Sequence, residues 1–72
     1  MLSETQLLNH IYQTAEMGCD GIQSVLQYAN EPKLTAALNA QMTEYRKLQD
    51  SAGEMIRQRH KEPEGVPPVR SQ

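Results

Sequence analysis

The sequence predicts an all-α protein, an antiparallel two-helix hairpin that dimerises into a four-helix bundle. Three observations predict it. Apolar residues recur at steps of three and four along two long segments, which is the period of a helix and not of a strand. The two segments meet at Asn30-Glu31-Pro32, where a proline ends one helix and can open the next. The chain has only 72 residues, 38% of them apolar and 4% aromatic, and so small a core is marginal without a disulfide, a metal or a partner. A single cysteine, Cys19, excludes an internal disulfide and a Cys-rich zinc module. A second copy is the expected source of the missing burial.

The hairpin is expected over 1–62, with helices at about 4–29 and 32–61. Ser3 is the N-cap candidate of the first, and Gln6 stands at the capping-box spacing. Glu4 lies in the first turn, where the helix dipole favours a negative charge. Leu8, Ile11, Ala15, Gly18, Ile22, Val25 and Ala29 form the stripe, widened by Tyr12, Cys19 and Leu26. That breadth suits a bundle better than a two-stranded zipper. Beyond the turn the stripe is Leu34, Leu38, Gln41, Tyr45, Leu48, Ala52, Met55 and Arg59, widened by Ala37, Met42 and Ile56. Arg57, Arg59, His60 and Lys61 place positive charge at the carbonyl end of this helix, before Pro63 stops it. Residues 63–72 hold three of the four prolines and read as an extended or disordered tail, or as a linker cut short.

A short turn makes the helices antiparallel, so residues whose numbers add to about 63 or 64 face one another. Gly18 then meets Tyr45, Ala15 meets Leu48, Ile11 meets Ala52, and Glu4 falls near Arg59. Large side chains alternate with small ones, as close packing requires. No Lys or Arg occurs between residues 1 and 30, and that charge asymmetry suits the pairing of unlike helices.

Composition narrows the function. A net charge of −2 is no footprint for nucleic acid. No apolar run approaches the ~18 residues of a membrane span, and the first six residues lack the basic start of a signal peptide; the expected compartment is the cytoplasm. No phosphate loop or spaced nucleophile–base pair is present, so neither enzyme activity nor a cofactor is expected. Two glycines, Gly18 and Gly21, interrupt the first helix at about 1 kcal/mol each. Close helix approach at Gly18 accounts for one; a kink around a small ligand is the alternative. Cys19, at the edge of the stripe, reads as a small hydrophobe. Glu16, Glu44 and His10 are the candidates for a metal. However, Lys47 stands where the Glu-x-x-His motif of diiron bundles needs a histidine, and His10 and His60 fall on polar faces. Gln41, a polar residue on the seam, is a candidate for fixing register or oligomeric state.

The runs Leu7-Leu8-Asn9-His10-Ile11-Tyr12-Gln13-Thr14-Ala15-Glu16-Met17-Gly18 and Leu38-Asn39-Ala40-Gln41-Met42-Thr43-Glu44-Tyr45 resemble the first helical hairpin of a family of uncharacterised small bacterial proteins of the ferritin-like four-helix-bundle type. The resemblance spans roughly residues 5 to 68 and implies a bundle fold without a known activity. Members continue past the Pro-rich segment into further helices.

The expected function is a non-enzymatic helical interaction or scaffold module acting through self-association as a homodimer. Its interface residues are Leu8, Ile11, Ala15, Gly18, Ile22, Leu38, Gln41, Tyr45, Leu48 and Met55. The alternatives are a ferritin-like metal or redox bundle built from two hairpins, and a regulator that docks on a helical protein partner.

Overall fold

The computed structural model describes residues 2–67, which form two helices packed side by side, α1 (Glu4–Leu26) and α2 (Pro32–Gln58). The start of α1 follows from its capping box. The Gln6 amide donates to Ser3 Oγ at 3.1 Å, and the Ser3 amide donates to Gln6 Oε1 at 2.9 Å. Two of the four amides that a helix leaves unpaired at its start are thereby satisfied.

The helix stops at Leu26, short of Ala29. The amides of Tyr28 and Ala29 reach back three residues, to Val25 and Leu26, so the last turn tightens before the chain reverses. Reversal takes several residues, and Glu31 is held extended at φ −94°, ψ 127° because the proline ring after it disfavours helical backbone. Pro32 then opens α2 at the position where a missing amide costs nothing. Glu31 serves as N-cap without a side-chain hydrogen bond.

At its far end α2 stops at Gln58, three residues before the expected Lys61. His60 takes a left-handed backbone, φ 61°. Its amide donates to the Arg57 carbonyl at 2.9 Å and the Lys61 amide to that of Ile56 at 3.3 Å, the paired bonds of a Schellman closure. A histidine therefore occupies a position that glycine usually fills.

The core lies along one seam. Leu8, Ala15 and Cys19 of α1 pack with Met42, Ala52 and Ile56 of α2, and Gly53 is buried beside them. Among the described residues Ile56 is the largest side chain that is fully buried. Two tyrosines span the seam, each over a glycine of the opposite helix. A Cβ on Gly18 would lie 2.9 Å from three ring carbons of Tyr45, and one on Gly53 would lie 3.3 Å from the Tyr12 ring. The Tyr45 ring thus occupies space that a side chain at Gly18 would need, and the Tyr12 ring packs tightly over Gly53. Glu4 and Arg59 close the open end of the hairpin with a 2.9 Å ion pair.

The seam on α2 is not centred where periodicity placed it. The line Leu34, Gln41, Leu48 and Met55 is exposed, and the buried line is Met42 and Ile56 with half-buried Gln49 between them. The two lines sit one residue apart and satisfy the same period. Gln49 disguised the true centre. It is accommodated there because its amide donates to Glu16 Oε1 across the seam at 3.4 Å.

Candidate functional site

The hairpin has two long flanks, and the structure treats them differently. On one flank Asn9, Gln13 and Glu16 stand on successive turns of α1, at spacings of four and three. They hold residues 64–66 of the chain by its backbone. Asn9 Oδ1 accepts from the Glu64 amide at 2.9 Å, Gln13 Nε2 donates to the Glu64 carbonyl at 3.1 Å and lies 3.4 Å from that of Gly65, and Glu16 Oε2 accepts from the Val66 amide at 3.1 Å. Pro63 and Val66 are half-buried against the helices. The strap fits tightly, because a Cβ on Gly65 would come within 3.0 Å of Glu16 Oε1.

The part of the expected tail that is described is therefore extended and docked on α1; the rest of it, 68–72, lies outside the described residues. A compositional reading treats Asn9, Gln13 and Glu16 as a solvated helix face. The available signal was their helical spacing alongside the apolar stripe.

The opposite flank is apolar and open. Met17, Gly18, Gly21, Ile22 and Val25 of α1, with Leu38, Gln41 and Tyr45 of α2, line a shallow groove of about 400 Å³. None of these eight side chains carries a charge. Met17 is 54% exposed and Val25 51%, one turn to either side of Gly21. Leu34, Leu48 and Met55 continue the exposed apolar surface along α2. These three share one line with Gln41, because each is seven residues from the next.

Of the ten residues expected at the interface, Leu8 and Ala15 are buried in the seam, and Ile11, Gly18, Ile22, Leu38 and Tyr45 are half-buried at its edge. Gln41, Leu48 and Met55 are exposed on the open flank. The expected list thus divides between the hairpin's own seam and the open flank. Met17 and Gly21 belong to the open flank and were absent from that list.

The candidate metal ligands are dispersed. Glu16 has both carboxylate oxygens engaged, one by Gln49 and one by the Val66 amide. Glu44 is on the surface, 3.4 Å from Lys47, and His10 is exposed. Among the described residues no three His, Cys, Asp or Glu side chains converge. Cys19 is buried, with Sγ 3.8 Å from the Met42 carbonyl oxygen. No helix among the described residues is long and apolar enough to cross a membrane.

No protein-family model matches the chain, and no curated protein or solved structure is significantly similar to it. The structure establishes the all-helical hairpin; the sequence's resemblance to ferritin-like bundles gains no support from these comparisons.

Proposed function

We propose that the chain is a non-enzymatic cytoplasmic interaction module whose open flank pairs with that of a second copy, making a four-helix bundle. The observation that carries this reading is the exposed apolar surface of the groove flank, which holds five of the eight large exposed hydrophobic side chains among the described residues, Leu2, Leu7 and Tyr28 being the others. Met17, Val25, Leu34, Leu48 and Met55 are each between 44% and 54% exposed, and extended apolar surface of this kind marks interaction sites on soluble proteins. Burying it against an identical surface satisfies both copies at once. Since the groove lining is uncharged, two copies meet there without like-charge repulsion.

Light scattering over a range of concentrations tests the reading. The expected mass is twice that of the 8.1 kDa chain. Leu48→Glu, a change at an exposed position, is expected to return the mass to that of one chain while leaving the helical circular dichroism spectrum in place, because it buries a charge only in the assembly. A single-chain mass at every concentration would overturn self-association and redirect the search to a helical protein partner.

A further inference from the structure

Every group that Asn9, Gln13 and Glu16 bind on residues 64–66 is main chain. Their partners are the amides of Glu64 and Val66 and the carbonyls of Glu64 and Gly65. Within the strap, Pro63 and Val66 are half-buried, whereas Glu64 and Gly65 are exposed. A ladder of this kind recognises an extended peptide by its backbone, and the few side chains that pack set the preference.

Two features make the row selective. Glu16 is held at both carboxylate oxygens, Oε1 by the Gln49 side-chain amide across the seam at 3.4 Å and Oε2 by the Val66 amide at 3.1 Å. It cannot turn aside without giving up a bond. A Cβ at position 65 would lie 3.0 Å from that same Oε1, so the position takes glycine. The second feature is the pair of flanking prolines, Pro63 and Pro67. Each fixes its own φ and biases the residue before it toward extended backbone, so the segment is close to its bound shape before it docks.

We propose that Asn9, Gln13 and Glu16 form a peptide-binding site for an extended Pro-x-Gly-Val segment, and that residues 63–66 are its ligand in cis, closing the site to the same segment from another chain. The site lies on the flank opposite the apolar groove, so the proposal stands whether or not the chain self-associates. The fastening is of a kind that opens locally. The strap follows a turn that puts His60 in left-handed backbone, φ 61°, and among the described residues no ion pair holds it.

A synthetic peptide of residues 61–67, titrated to millimolar concentration into the isotope-labelled full chain and followed by NMR, tests the assignment. Gly65→Leu in the full chain is expected to release the strap, freeing the Val66 amide and the Gln13 side-chain amide while the helical resonances stay in place. The peptide is expected to bind this released variant about tenfold more tightly than the unaltered chain, where the strap competes at high effective concentration. Binding is expected to shift the signals of Asn9, Gln13 and Glu16. The same peptide carrying Gly65→Leu is expected to bind about tenfold more weakly or worse. Val66→Pro, which removes the amide donor to Glu16 and touches no helix residue, gives a second released variant. Absence of saturable binding to both variants would overturn the site. Equal binding of the two peptides would overturn its selection of glycine, and equal affinity of the unaltered and released chains would overturn closure in cis.

Discussion

The two flanks of the hairpin differ in whether the chain itself covers them. Two helices alone bury one stripe each and leave apolar edges wet on either side. On the strap flank the chain covers the edge with its own residues 63–66, and the fastening is polar: Asn9, Gln13 and Glu16 bind backbone amides and carbonyls of the segment. On the groove flank no such ladder occurs among the described residues, and the surface is Met17, Gly21, Val25, Leu48 and their neighbours. A flank that needs intramolecular cover carries hydrogen-bonding side chains at helical spacing. The groove on the other flank is lined, among the described residues, by uncharged and mostly apolar side chains. The contrast between a strapped polar flank and an open apolar one is what the proposed pairing rests on.

The largest expected effect falls on the seam between the flanks. Gly18→Leu drives a branched side chain into the Tyr45 ring, where even a Cβ would sit at 2.9 Å. A loss of about 2–3 kcal/mol is expected, read as a fall in the urea midpoint together with disruption of the pair. Unchanged mass and melting temperature would refute the Gly18–Tyr45 packing.

Removing the strap tests whether the polar flank is closed by it. A chain ending at Glu62 loses the bonds from Asn9, Gln13 and Glu16, at a cost of about 1–2 kcal/mol. Exposure of a second flank is expected to broaden the mass distribution beyond the dimer in light scattering. A truncated chain with the original melting temperature and a single sharp mass would show that the strap contributes nothing to the contrast.

The smallest effect is a gain. His60→Gly places the residue best suited to a left-handed backbone at the turn that aims the chain toward the strap. Stability is expected to rise by about 0.5–1 kcal/mol, as a modest increase in melting temperature with the helical content unchanged. A decrease would mean that the histidine side chain makes a stabilising contact that outweighs the backbone strain.

How far the sequence could be read depended on the kind of signal. The Ser3–Gln6 capping box, the proline at the start of α2, the antiparallel pairing and the Gly18–Tyr45 and Glu4–Arg59 neighbours all follow from local chemistry or from a turn that sets the register. The centre of the α2 seam did not. Leu48 and Gln49 are adjacent, and hydropathy favours Leu48 as the buried one. In the fold Gln49 faces inward because Glu16 offers it an acceptor across the seam, and Leu48 is left 46% exposed. Tyr12 over Gly53 went unread because the two numbers add to 65, just past the register of 63 or 64 that the turn was expected to set.

By itself, then, the sequence determined the two helices, the turn between them and the pairing of unlike helices, since period, caps and proline act within a few residues of one another. Only the tertiary structure decided which part of each broad apolar stripe became core, that residues 63–66 return to cover one flank, and that Gly21 stands over open space. Those outcomes turn on contacts between residues far apart in the chain, where steric fit and available hydrogen-bond partners outweigh the preferences of any single residue.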